Sequence, residues 1–341
     1  MVWDKLLHWR DRRPRQLLAA ITCLVISGIA VVARAEPPAR NLENPDGQIY
    51  TSIACHVVGA GSKLELVAID PQSGKCKMIV ADGFGPRLSP NGQFIAFCKM
   101  ASRLEGNTIV QASEVWVQDI RGGAAPHQIW TGEGSATLCW AHDGMRVIVS
   151  QSVLSVEKKR WQHSTWLVDP EKAEAAPLNL PPTEGIVDCA HRSDLLISWS
   201  SRRGGIDLFT MLPDGTQSTA LTTKGQYDYQ GRFSLDDTKI AVLRRQRGLR
   251  SAGTADGDGK NSQGAFTEKG LTYPKQIGWS PDAKRVALVL FDWTLDEKGK
   301  KVQRPGDDSH YRIAIMDCGG ANYRELSLDR AADEIGSLDW R

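Results

Sequence analysis

Past residue 35 this sequence has no apolar periodicity of helical spacing that lasts beyond two turns. Bundles of helices and sheets wrapped by helices are therefore excluded. Net charge is lacking too. Residues 1–35 hold six of the 42 basic and two of the 40 acidic groups, which leaves 36 against 38, a net charge of −2, for the remainder. That balance offers no electrostatic footprint for nucleic acid. Serine hydrolysis has no support, since no Gly-x-Ser-x-Gly elbow occurs and no Ser stands in a recognisable order with His and Asp. No glycine loop that would cradle phosphate follows a strand and opens a helix. His56, His127, His163 and His310 are scattered, without the spacing of metal ligands. The run Asp256-Gly257-Asp258-Gly259-Lys260-Asn261 imitates a calcium loop, but its frame fails. Lys260 stands where an oxygen ligand belongs, Asn261 replaces the sixth-position glycine, and Thr267 replaces the closing glutamate. The expectation is no catalytic residue, no cofactor and no metal.

What the chain has is repetition. Gln276–Leu290 reads as a short strand ending at Trp279, a turn Ser280-Pro281-Asp282-Ala283, and a second strand from Arg285. Ser at the first corner can bond back to the chain, and Pro presets φ for a tight turn. The same unit recurs around Ser89-Pro90-Asn91-Gly92, more weakly around Ala141-His142-Asp143-Gly144 and Ser234-Leu235-Asp236-Asp237, and in decayed form at Ala190-His191-Arg192-Ser193. The residues before these turns, with Trp340 added, are Leu88, Trp140, Cys189, Phe233, Trp279 and Trp340. Their spacing of some tens of residues, with room for four short strands each, is the mark of a β-propeller.

The two chain ends complement each other. Residues 48–81 supply three strand-like runs without an opening strand, while Glu334–Arg341 is an opening strand with nothing after it. The expectation is an all-β, six-bladed propeller over residues 48–341, closed by pairing of N- and C-terminal segments in one blade. A ring of this kind leaves no terminal blade to cap. Two irregularities interrupt it: a Gly/Asp/Ser-rich stretch, 246–264, expected to be a long loop, and a charged hairpin insertion at 292–308.

Before the propeller, a basic Met1–Arg15 leads into the uncharged apolar run Leu17–Val32 and then Ala33-Arg34-Ala35. This is the pattern of a secretory signal peptide, 1–35, cleaved after Ala35. A polar linker, 36–47, follows. The protein is expected in the periplasm or secreted, touching a membrane only through an uncleaved signal.

The units at Ser89-Pro90-Asn91-Gly92 and Ser280-Pro281-Asp282-Ala283, with Ile95-Ala96-Phe97 and Val286-Ala287-Leu288 behind them, resemble the WD40-like PD40 repeat of the TolB family's propeller. The resemblance spans roughly residues 48–341. It implies an exported six-bladed propeller, like the TolB C-terminal domain, used for protein contacts. TolB proteins also carry an α/β domain ahead of the propeller, which the linker 36–47 is too short to hold, so the resemblance extends to the propeller and not to a Tol–Pal role.

The expected function is a non-catalytic scaffold that binds a protein or cell-envelope component. The alternative is a propeller enzyme acting on a saccharide or small metabolite through its central channel. Asp188, Arg232 and Asp339 are the polar groups that the repeat places at the channel, and Arg244, Arg245, Arg247 and Arg250 form a candidate partner-binding loop. His142 and His191 sit at matching turns and, with Asp143 or Asp194, would make a metal site only at the channel itself. Trp140, Trp279 and Trp340 recur at one position, as packing between blades requires. Six cysteines remain after Cys23, and buried free thiols are the default. Cys55 and Cys98 occupy equivalent positions that point the same way round a ring. Cys76 and Cys318, on matching turns, are the pair least disfavoured.

Overall fold

The turn Ser280–Ala283 shows how the chain reverses. Ala283 N–H donates to the Ser280 carbonyl (2.9 Å), while Ser280 Oγ donates to Asp282 Oδ1 (2.6 Å) and accepts from Arg285 N (2.9 Å). Ser89 with Asn91 and Ser234 with Asp236 repeat this set of bonds. The fourth residue is left-handed in each, and Gly92 (φ 66°) adopts that state without the Cβ clash that Ala283 (φ 56°) bears.

The computed structural model describes residues 47–341, apart from 58–60, 106–107, 156–159, 223–226, 296, 300, 303–310 and 331. The segment expected to be a signal peptide, 1–35, and nearly all of the expected linker, 36–47, lie outside the described residues. Among those residues the strands form six four-stranded antiparallel sheets. Their opening strands are Glu334–Trp340, Phe84–Leu88, Ser135–Trp140, Glu184–Cys189, Tyr227–Phe233 and Thr272–Trp279, which begin blades 1 to 6. These strands touch one another in that cyclic order and so line a central channel. The protein is a six-bladed β-propeller.

Closure occurs in blade 1, where Glu334–Trp340 pairs with Ile49–Val57 in the register Trp340 to Ile49 and Asp339 to Tyr50. The Arg341 N–H donates to the Gln48 carbonyl (2.9 Å) beyond the last pair. The core is divided accordingly: six buried clusters lie among the described residues, one at each blade boundary. The strand Arg285–Asp292 explains its unbroken apolar run. Val286, Leu288 and Leu290 face blade 5, whereas Ala287, Val289 and Phe291 face blade 1. Successive side chains alternate, and both faces of a blade are covered, so no polar alternation survives.

Two expectations need correction. The stretch 246–264 is not a long loop. Leu249–Asp256 is the third strand of blade 5, joined to Lys239–Gln246 by a tight turn at Arg247-Gly248, and Gln263–Thr267 is the fourth. Its small residues suit close pairing: a Cβ on Gly253 would sit 2.7 Å from the Gln263 carbonyl oxygen. The ladder on both edges overrides a weak strand propensity. In the 292–308 insertion, Thr294–Leu295 pairs with Lys301–Val302, and 303–308 lies outside the described residues.

The disulfide joins neither pair weighed above. Cys139 is bonded to Cys189 (Cα–Cα 5.7 Å), while Cys55, Cys76, Cys98 and Cys318 take no part in that disulfide. Cys139 stands one residue before the end of its opening strand and Cys189 at the end of the next. That offset of one reverses the direction of the side chain, so the two thiols face each other across the boundary of blades 3 and 4.

Candidate functional site

An opening strand has a sheet partner on one edge only. Its other edge turns N–H and C=O groups toward the channel, where they must find partners. The side chains of the penultimate position do part of that work. Going round the ring, this position holds Asp339, Arg87, Cys139, Asp188, Arg232 and Gly278. Asp339 Oδ2 accepts the Leu88 N–H of the next blade (2.7 Å), and Asp188 Oδ2 accepts the Phe233 N–H of the blade after its own (2.8 Å). Carbonyls are served by arginines: Arg87 Nη1 donates to Pro86 O (2.6 Å), and Arg232 Nη1 donates to Val187 O. Trp140 and Trp279 reach back one blade, each Nε1–H donating at 2.9 Å to the carbonyl of Arg87 and of Arg232. Both indoles are buried, as is that of Trp340, and they pack between blades.

Asp188, Arg232 and Asp339, the three residues expected at the channel, thus line one cavity. Arg87 and Arg341 complete its charged wall. Sequence reasoning missed both. Arg87 carried a usable signal, since it shares the penultimate register of Asp188 and Arg232; Arg341 lies past the last repeat position and carried none. Arg341 Nε lies 3.3 Å from Asp339 Oδ1, and its Nη2 lies 3.2 Å from His191 Nε2. Arg232 Nη1 is 3.4 Å from Asp188 Oδ1. The cavity has a volume of about 20 Å³, space for roughly one or two waters.

Electrostatics follow from burial. Desolvation raises the Asp188 carboxyl to about 7, against the pull of Arg87 and the Phe233 N–H. Desolvation, then the neighbouring Arg341, lowers His191 to about 3, so its ring is neutral and Nε2 accepts from the guanidinium. His142 and His191 do not face a common point: His142 Nδ1 lies 2.9 Å from Asp194 Oδ1 at the exposed turn.

The opposite end of the propeller carries the hairpins between second and third strands. In blade 2 this hairpin, Phe94–Glu105 with Thr108–Asp119, runs seven residues past Cys98, where the opening strand first pairs with it. That is a reach of roughly 24 Å. Met100, Leu104, Leu154, Trp161, Leu249 and Leu295 are exposed large apolar residues at or near such hairpin ends. At the foot of the blade 2 hairpin, a groove of about 310 Å³ runs between blades 1 and 2, lined by Ala54, Leu64, Phe84, Met100 and Glu334 among others.

The arginines expected to form a recognition loop lie on this side of blade 5, in a paired hairpin. Arg244 Nε bonds the buried Asp228 Oδ1 (3.0 Å), and the Arg250 guanidinium stacks 3.9 Å above the Tyr273 ring. Arg245 and Arg247 are exposed.

No protein family matches the chain, and no curated protein sequence does. Solved structures match its fold. The TolB of Acinetobacter baumannii superposes with a TM-score of 0.64 at 16% identity, over 87% of this chain and 67% of that one. A protein described as TolB from Agrobacterium tumefaciens gives 0.57 at 16% identity, over 85% and 93%. A chain of the nidogen–laminin complex gives 0.57 at 11% identity, over 86% and 97%. In fold, this chain is a six-bladed β-propeller of the TolB type.

Proposed function

We propose that this chain is an exported, non-catalytic propeller that binds a partner protein or cell-envelope component across its hairpin-bearing face. The observation that carries this reading is the pair of exposed residues Met100 and Leu104 on the blade 2 hairpin, with Met100 lining the groove and Leu154, Trp161, Leu249 and Leu295 exposed on the same side of other blades. Exposed apolar side chains gathered beside a groove mark interaction surfaces. The partner that fits is a polypeptide segment with apolar side chains, seated between blades 1 and 2. Export is supported by the basic and apolar pattern of residues 1–35 and by Cys139–Cys189, since disulfides persist in oxidising compartments. The likeness to a chain from a nidogen–laminin complex agrees with a binding role for the fold, although a fold alone does not dictate function.

The enzyme alternative draws support from Asp188, a carboxyl raised to about 7 in the channel. It is the weaker reading, because Asp188 and Asp339 are both engaged by backbone N–H groups and the space beside them admits no sugar ring.

Affinity capture from cell-envelope extract tests the proposal. Met100→Glu and Leu104→Glu alter exposed positions of the blade 2 hairpin and should leave the melting temperature within a few degrees of wild type, while reducing recovery of the specific partner at least tenfold. Met145→Glu, at an exposed turn on the other side, should recover it normally. Loss with Met145→Glu alone would move the binding surface to the opposite side and overturn the reading.

A further inference from the structure

The channel throat, at the end away from the hairpins, contains an imbalance that the binding face does not explain. Arg87 Nε, Arg232 Nε and Arg341 Nε are buried and have no hydrogen-bond partner among the described residues. All three are donors, and all three residues line the same cavity. Arg87 is 8% exposed and Arg232 is 9% exposed, so each guanidinium is held almost out of water. The carboxylates nearby do not use these donors. Asp339 accepts from Leu88 N and Asp188 from Phe233 N, and Arg232 approaches Asp188 through Nη1, not Nε. Arg341 Nε is 3.3 Å from Asp339 Oδ1 without hydrogen-bond alignment.

Position reinforces the point. Blades 2 and 5 stand across the ring from each other, so Arg87 and Arg232 enter the throat from opposite sides; Arg341 enters from the closing strand of blade 1. Three guanidinium groups face two carboxylates, an excess of one positive charge. A buried guanidinium favours a planar or compact anion that accepts several N–H bonds at once. The small volume excludes a sugar and suits a halide or one carboxylate head.

We propose that the turn-side throat of the channel is a binding site for one small monovalent anion of the carboxylate class, held by Arg87, Arg232 and Arg341. The carboxylate could be free in solution or stand at the C-terminus of a polypeptide inserted from the turn side. Desolvation keeps Asp188 up at about 7, and near neutral pH this withdraws part of the countercharge and favours the anion further.

The test uses the intact protein. Crystals soaked in sodium bromide should show an anomalous peak within hydrogen-bond distance of the three guanidinium groups. In solution, sodium acetate added at constant ionic strength should raise the melting temperature along a saturable curve, and Arg232→Met should weaken the apparent affinity at least tenfold. Because Arg232 also bonds the Val187 carbonyl, the bromide soak of wild type stands as the measurement that needs no variant. Absence of a peak at the throat, or a response to acetate that stays linear and unsaturated, overturns the proposal. A short peptide with a free C-terminus that displaces bromide, where its amidated form does not, assigns the carboxylate to a polypeptide; equal failure of both peptides assigns it to a free ion.

Discussion

At the scale of single residues, the throat brings together two titrating groups with opposite effects on stability. Asp188, raised from an ordinary value near 4 to about 7, keeps its proton in the folded chain over a range where the unfolded chain has lost it. Folding then binds a proton, and stability falls as pH rises from about 4 to 7. His191, lowered from about 6.5 to about 3, stays neutral when folded while the unfolded chain takes up a proton. Its contribution is lost as pH falls from 6.5 toward 3. The two slopes cancel between about pH 4 and 6.5. Asp188→Asn should therefore gain, relative to wild type, a stability that rises with pH by up to roughly 1.4 kcal/mol per unit in that window. His191→Gln should show the reverse. Denaturant titrations of the three proteins at several pH values decide the matter, and parallel pH profiles would show that neither group is perturbed. Asn at 188 can still accept the Phe233 N–H, so the effect separates charge from shape.

At the scale of elements, Cys139–Cys189 staples the opening strands of blades 3 and 4 across a sequence separation of 50. Loop-closure entropy for that length predicts that Cys139→Ser lowers unfolding free energy by about 4 kcal/mol, measured by guanidinium titration against the oxidised wild type. A loss below about 1 kcal/mol would indicate that these strands are already held together in the unfolded chain. The elements also show which signals were legible. The turns at Ser89, Ser234 and Ser280 declared themselves through Ser, Pro and Asp or Asn, because the turn's hydrogen bonds are local and need those side chains. Leu249–Asp256 did not. Its Gly, Ala, Ser and Thr carry little strand preference, and it is a strand because its neighbours on both edges supply a ladder.

At the scale of the whole molecule, Glu334–Trp340 closes the ring with Ile335, Leu338 and Trp340 almost fully buried. Burial at about 1.5–3 kcal/mol for each large side chain makes this strand worth roughly 5–9 kcal/mol, close to the whole stability of an ordinary domain. Truncation before Glu334 should abolish the single cooperative transition in calorimetry and weaken the near-ultraviolet dichroism of the buried tryptophans. A truncated chain that kept one sharp transition would show blade 1 standing with three strands. The channel belongs to this scale as well. Asp188, Arg232 and Asp339 were legible as a set because they share one register of the repeat. Their partners Leu88 N, Phe233 N and Val187 O were not, because the register says nothing of what the next blade offers.

The amino-acid sequence by itself determined the period, the turn positions and the complementary chain ends, and through them six blades and their closure. These follow from interactions between residues near one another in the chain, repeated until the geometry leaves one solution. Only the tertiary structure decided that Cys139 meets Cys189, that Arg87 and Arg341 join the throat, and that Met100 lines a groove between blades 1 and 2. Those juxtapositions depend on which way a strand's alternating side chains face once its blade has been set against the next, and no local pattern records that angle.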